Sequence, residues 1–180
     1  GAAHDDNLAP EFLEKLVAAL DADPGCVLAH SNTIAIDADG KAFRKHIIRL
    51  ASNRKKPAAR LRALLFPIGR IDPVFGLMRR DAMARTPLHG DFVGSDRVFL
   101  AAMILEGRWC ALPDRLFFRR IHDMNSITSH QNHDDRLFWF RGHRSLWPVF
   151  YNWRQMWGYI HAVRGATLDR RAQRDVYRVL

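Results

Sequence analysis

Long apolar runs are missing from this chain. Nothing in its 180 residues approaches the roughly 20 consecutive apolar residues that a membrane-spanning helix needs, so no membrane span is expected. No signal peptide is visible either, and none is expected of Gly1-Ala2-Ala3-His4-Asp5-Asp6, which is acidic and lacks an apolar h-region. Cysteine is scarce. Cys26 and Cys110 both lie in apolar stretches, with nothing beside them at metal-ligand spacing. They are expected to be buried free thiols of a cytoplasmic protein. No internal repeat and no low-complexity tract is present. There is no initiator methionine, and an acidic pair at positions 5 and 6 would fray beside a free terminus. The expectation is therefore a chain cut from a longer one.

What is present is enough for a packed domain. Hydrophobic residues make up 48% and charged residues 26%, a balance that supports a core and excludes a disordered tail. The net charge is +9, with 28 Lys and Arg. Nucleic acid, an anionic membrane surface and a phosphorylated ligand are the partners such a charge suits. Charge alone does not choose among them.

Periodicity gives a coarse map. Residues 9–20 read as a helix with Pro10 at its first position and Phe12, Leu13, Leu16, Val17 and Leu20 on one face. Cys26 to His30 reads as a buried strand, and Thr33 to Asp37 as an alternating one that ends in the turn Asp37-Ala38-Asp39-Gly40. Residues 41–56 are basic. A helix is expected from Pro57 to about Phe66, a loop to Pro73, a strand from Val74 to Met78 and a helical turn from Asp81 to Ala84. A helix is then expected from Ser95 to Glu106, with Val98, Phe99, Ala102, Met103 and Leu105 inward and Gly107 as its stop. Trp109–Leu112 and Leu116–Ile121 read as two strands parted by Pro113-Asp114. Beyond a polar stretch the chain is helical, with Leu146, Phe150, Trp153, Trp157 and Ile160 as a core stripe and Trp147 and Tyr151 off its centre. Thr167 is placed to cap a last helix carrying Arg170, Arg171, Arg174 and Arg178. Helices and strands alternate, then helices alone close the chain, so the class is α/β with a helical tail.

Five constellations can carry chemistry. Asp5 and Asp6 precede a helix, where two carboxylates can hold Mg²⁺ or Mn²⁺, or simply favour a helix dipole. Asp96, in Gly94-Ser95-Asp96, is a candidate general base or a plain helix cap. Arg119, Arg120 and His122 leave a strand together and can grip a diphosphate, or form an ordinary basic strand end. His130 and His133 have zinc-like spacing in a polar loop that lacks further ligands. The aromatic helix with its arginines can pack a core or meet a lipid interface.

Their order along the chain resembles the second half of a family 2 glycosyltransferase with a GT-A fold. The match runs through Asp5-Asp6 ahead of Pro10-Glu11-Phe12-Leu13, Asp23-Pro24, Gly94-Ser95-Asp96 with Phe99-Leu100, Gly107-Arg108, Leu112-Pro113, and Arg119-Arg120 with His122. The resemblance implies a partial Rossmann-like sheet over residues 1–126, a polar linker at 127–144 and a helical extension at 145–180, as in one bacterial branch of the family. It implies a nucleotide-sugar donor, usually a UDP-sugar, a divalent metal (Mn²⁺ or Mg²⁺), a saccharide or lipid-linked acceptor, and inversion at the anomeric carbon. By the same resemblance Asp5 and Asp6 bind metal, and Asp5 the donor as well. Asp96 is the catalytic base, and His122 with Arg119 or Arg120 holds the leaving diphosphate. Ala3 stands where the family often has an earlier Asp. The family's nucleoside-binding half has no counterpart here. Each βαβ unit takes about 30 residues or more, so the fragment alone is expected to be inactive. The implied setting is bacterial polysaccharide biosynthesis in the cytoplasm, at the inner face of the membrane where residues 145–180 touch lipid. The alternative is a non-catalytic basic module for an anionic membrane or nucleic acid. Nucleic acid is not expected, because the cations are dispersed and no known binding motif is present.

Overall fold

The computed structural model describes residues 5–66, 72–121 and 151–180, except the side chains of residues 151 and 152. Among them are five strands and six helices: β1 (Asn7–Leu8), α1 (Phe12–Ala22), β2 (Cys26–Ile36), β3 (Ala42–His46), α2 (Pro57–Leu65), β4 (Leu77–Met78), α3 (Arg80–Ala84), α4 (Ser95–Glu106), β5 (Arg108–Arg120), α5 (Tyr151–Gly165) and α6 (Arg170–Tyr177). They form an α/β fold on an open mixed sheet ordered β1-β5-β2-β3, with β4 also pairing with β2. β2 and β5 are parallel, and the other pairings are antiparallel.

The central strand, β2, is continuous where periodicity predicts two pieces. Every residue from Cys26 to Ile36 except Ile34 is buried. Val27 and Leu28 pack into the cluster that contains α4, while Cys26 and Ala29 join the one that contains α1. A strand covered on both faces loses strict alternation. β5 is also one strand, not two. His30 lies opposite Ala111 and Asn32 opposite Arg115, so β5 advances farther than β2 and bulges at Pro113-Asp114. The bulge is tethered: Asn32 Nδ2 donates to the Pro113 carbonyl at 2.9 Å, and Lys15 Nζ meets Asp114 Oδ1 at 2.6 Å.

Other boundaries shift for local reasons. α1 begins at Phe12 with Glu11 as its N-cap, so Pro10 precedes it. Phe12, Leu16 and Leu20 are buried, whereas Leu13 and Val17 face solvent. The apolar contact is thus narrower than the sequence stripe. Val74–Met78 is not one strand: a 3-10 turn at Asp72–Phe75 is followed by the short β4. Within the basic stretch, β3 forms an exposed ribbon beside β2. The helix expected at Ser95–Glu106 is present at those bounds, but it is buried all round from Val98 to Leu105, because other elements surround it on several sides.

The described part of the helical extension belongs to the same core. Val163 and Val176 are fully buried with Phe99, Leu100 and Trp109. At Gly158 an added Cβ would lie 2.8 Å from Val98 Cγ2, so only glycine lets α5 approach α4 this closely. Trp153 and Trp157, expected in the core, are exposed instead. Leu146, Trp147 and Phe150, and the linker at 127–144, lie outside the described residues. The last helix starts at Arg170, so its cap is Asp169, whose Oδ1 accepts from the Ala172 N–H at 2.7 Å. Thr167 lies too far ahead to do this. No helix among the described residues is long and apolar enough to cross a membrane.

The cysteines depart from expectation. The parallel pairing of β2 and β5 brings the Cα atoms of Cys26 and Cys110 to 6.0 Å, and they form a disulfide. The bond joins residues 84 apart in sequence. Closing a loop of that length in the unfolded chain is worth about 4–5 kcal/mol on the chain-entropy model. Dithiothreitol is therefore expected to lower the urea midpoint of the wild type markedly, and to leave a Cys26→Ser/Cys110→Ser variant unmoved. An equal midpoint in both redox states would show that the bond contributes no stability.

Candidate active site

Two parallel strands end together at one edge of the sheet. Ala35 and Ile36 lie opposite Arg119 and Arg120. β1 runs antiparallel to β5, with Asn7 opposite Phe118, so Asp5 and Asp6 enter at this same edge. The carboxyl ends of parallel strands are where open α/β sheets bind ligands.

Arg120 holds the edge together. Its backbone N–H donates to Asp6 Oδ1 at 3.0 Å, and its Nε donates to the Asp5 carbonyl at 2.9 Å. Its Nη1 donates to the carbonyls of Asp37 and Ala38 at 2.9 and 2.6 Å. The acidic pair is thereby tied to the turn that follows β2. That turn is closed by Asp37 Oδ1, which accepts from the N–H groups of Asp39 and Lys41 at 3.1 and 2.8 Å.

Arg119 has a different partner. Its Nη1 donates to Asp72 Oδ1 at 2.9 Å, and its guanidinium lies 5.8 Å from the Phe75 ring centroid. Phe75 in turn stacks on Phe117 at 4.8 Å. Asp72 is buried, and its Oδ2 has no hydrogen-bond partner. His30, buried on β2, is influenced by this carboxylate. Burial pushes the His30 pKa down to about 4, against opposing effects of the Ser31 carbonyl and the Asp72 charge. The imidazole is therefore neutral at neutral pH. It meets Trp109 edge to face, with centroids 6.4 Å apart.

A largely apolar cleft of about 450 Å³ opens beside these residues. Leu8, Phe12, Phe75, Leu77, His89 and Phe99 contribute to its walls. Leu8 follows Asp6 by two positions and Phe99 follows Asp96 by three, so the elements carrying the acidic pair and Asp96 border one cleft. His89 packs on Phe99 with ring centroids 4.5 Å apart.

Asp96 sits in the first turn of α4. The N-cap is Gly94, in the left-handed region at φ 85° with no side-chain cap bond, so Asp96 does not fill the cap position. It is half-buried, and its Oδ1 accepts from the Arg97 N–H at 2.8 Å. The loop before it is gripped from α5: Arg154 pairs with Asp91 and lies 5.1 Å from the Phe92 ring centroid.

Asp5, Asp6, Arg119 and Arg120 are thus brought to one edge, and Asp96 lies one turn before Phe99, which lines the cleft together with Leu8. His122, His130 and His133 lie outside the described residues. No protein-family model matches the chain, and no curated protein matches it significantly. Among the described residues, the single grouping of three or more side chains able to hold a metal is Asp23, Cys26 and Cys110. Its sulfurs are joined in the disulfide, so they are not the thiolates that bind metal. The acidic pair supplies two carboxylates, short of such a group by itself.

Sequence reasoning passed over Asp72 and His30. Asp72-Pro73 resembles any turn dipeptide, and His30 follows an apolar run, so only the fold shows that both are buried. Asp72→Asn would leave Arg119 without its anionic partner. Because Arg119 is partly accessible, a loss of about 3 kcal/mol, the lower end for a broken buried pair, is expected by urea denaturation. For His30 the folded pKa lies below the unfolded value, so the unfolded state binds more protons across the window between them. Stability is full above that window and falls with pH through it. The full drop is on the order of 3 kcal/mol. The difference in unfolding free energy between about pH 7 and about pH 4.5 is expected to shrink in His30→Leu.

Proposed function

We propose that the chain carries the metal, base and diphosphate positions of a family 2 glycosyltransferase with a GT-A fold. It would transfer a sugar, with inversion, from a nucleotide-sugar, most simply a UDP-sugar, to a saccharide or lipid-linked acceptor. The observation that carries this reading is the cleft bordered by both Leu8 and Phe99. It lets an acid pair at a strand edge and a carboxylate at a helix start serve one bound substrate pair.

Each residue has a task in that reading. Asp5 and Asp6 would hold Mn²⁺ or Mg²⁺, for which carboxylate oxygens are suitable donors. A carboxylate has about four acceptor sites, so the bond from the Arg120 N–H to Asp6 fixes the group without exhausting it. The ion, when bound, neutralises charge developing on the diphosphate. Arg120 is a positioning residue, because its bonds run to Asp5, Asp6 and the 37–38 turn. Arg119 supplies positive charge behind the Phe75 wall. Asp96 takes the proton of the acceptor hydroxyl as that oxygen bonds to the anomeric carbon and the bond to the diphosphate breaks. His122 would join Arg119 at the leaving group.

The test is donor-dependent transfer by the product of the complete reading frame, assayed with a panel of UDP-sugars and Mn²⁺. Asp96→Asn is expected to lower turnover by about a hundredfold or more while donor affinity holds, the range for losing a general base. Asp6→Asn is expected to weaken both metal dependence and donor binding. Full turnover in a correctly folded Asp96→Asn protein would sink the assignment.

A further inference from the structure

We propose that the exposed face of α5 docks the protein onto an anionic membrane surface. This does not rest on the transferase reading. Trp153, Met156 and Trp157 are 63%, 36% and 51% exposed, and their spacing puts them on one helical stripe. His161 and Arg164, also exposed, continue it. The opposite side of α5 is buried through Ala162 and by the close contact of Gly158 with Val98, and Val163 is buried at the margin of the stripe, seven residues after Met156. Its outward side is therefore fixed by the core.

Charge selects the partner. α5 contains no acidic residue. Residues 151–180 hold six arginines against Asp169 and Asp175, a net +4. Arg170, Arg171, Arg174 and Arg178 of the neighbouring α6 region are exposed. An apolar stripe containing two indoles, with Arg164 on it and a net positive charge in the surrounding 151–180 segment, is the pattern of a helix lying in a headgroup layer. Indoles favour that depth because one end is apolar and the other polar, and each nearby arginine adds attraction to anionic lipid. A single strand of nucleic acid is held instead in a basic groove with its bases on aromatic platforms. The α5 stripe is one face of a single helix, and Met156 stands between its two indoles in sequence.

The experiment is co-sedimentation of the 180-residue chain with vesicles of equimolar phosphatidylcholine and phosphatidylglycerol, against vesicles of phosphatidylcholine alone. Binding is expected only to the anionic vesicles. Trp153→Ala/Trp157→Ala is expected to lower the partition coefficient by about tenfold or more, with the melting temperature retained. Arg170→Gln/Arg171→Gln/Arg174→Gln is expected to lower it comparably, while Leu13→Ala/Val17→Ala, exposed on α1, leaves it unchanged. Met156→Glu, on the same stripe, is the second test should the tryptophan pair disturb folding. Undiminished binding by a folded stripe variant would overturn the proposal. So would a dimer that the tryptophan substitutions dissolve, or tighter tryptophan-dependent binding to random single-stranded DNA than to the vesicles.

Discussion

The parallel pairing of β2 with β5 is the constraint on which the other features depend. It runs from Cys26 opposite Arg108 to Ile36 opposite Arg120, and each end is locked by different chemistry. At the start the lock is covalent, the disulfide between Cys26 and Cys110. At the finish it is polar: Arg120 reaches the carbonyls of Asp37 and Ala38 beyond β2 and that of Asp5 ahead of β1. The bulge at Pro113-Asp114 lies between, and with a further shift between Asn32 and Thr33 it sets the register in which Thr33, Ile34, Ala35 and Ile36 face Phe117 through Arg120 in step. Without that slip the two arginines would meet different residues of β2, and the acid pair would lose its clamp.

Much of the positive charge is structural. Arg60 is buried without a carboxylate partner and donates to the carbonyls of Ile104, Arg54 and Lys55 at 2.8 to 3.0 Å. It thereby satisfies the C-terminal end of α4, where a cation also complements the helix dipole. Burial, with a smaller effect from nearby Arg108, lowers its pKa to about 10, still high enough to remain charged at neutral pH. Arg79 does the same for α1, donating to the carbonyls of Leu20 and Cys26 at 2.6 and 2.8 Å. Arg108 closes on Asp23 at 2.7 Å. A net charge of +9 is therefore a poor guide to ligand class in this chain. The informative cations are those left exposed outside the framework, in residues 41–62 and on the last helix.

Legibility in the sequence follows how local the determining physics is. α4 was readable to its ends because Gly94-Ser95 and Gly107 punctuate it within the sequence itself. The turn at Asp37–Gly40 was readable for the same reason. The continuity of β5 was not, since Pro113-Asp114 spells a turn unless a neighbouring strand absorbs the extra residues as a bulge. Nor was the disulfide, which needs two strands to be adjacent before residues 84 positions apart can meet. Arg120 could be flagged as a cation near a strand end. Its use as a clamp depends on β1 returning antiparallel to β5, and a two-residue strand leaves almost no periodic signal. The tryptophan stripe failed for a related reason. Helical spacing identifies a face, but which face the core takes was decided by Gly158, whose missing side chain admits α4.

That last point links the two ends of the molecule. α5 presents Trp153 and Trp157 outward, and from the same turns Arg154 reaches Asp91 and Phe92. Those residues lead directly into Gly94 and the first turn of α4, where Asp96 sits. Phe99, one turn on, borders the cleft. A helix held by close packing transmits displacement rather than absorbing it. The contact of Gly158 with Val98 packs α5 directly against α4. Arg154 and Gly158 thus connect the helix that carries the indoles to the loop and helix that carry Asp96. The exposed stripe of α5 and the helix of the candidate base are therefore joined by two contacts, one through a glycine and one through an arginine.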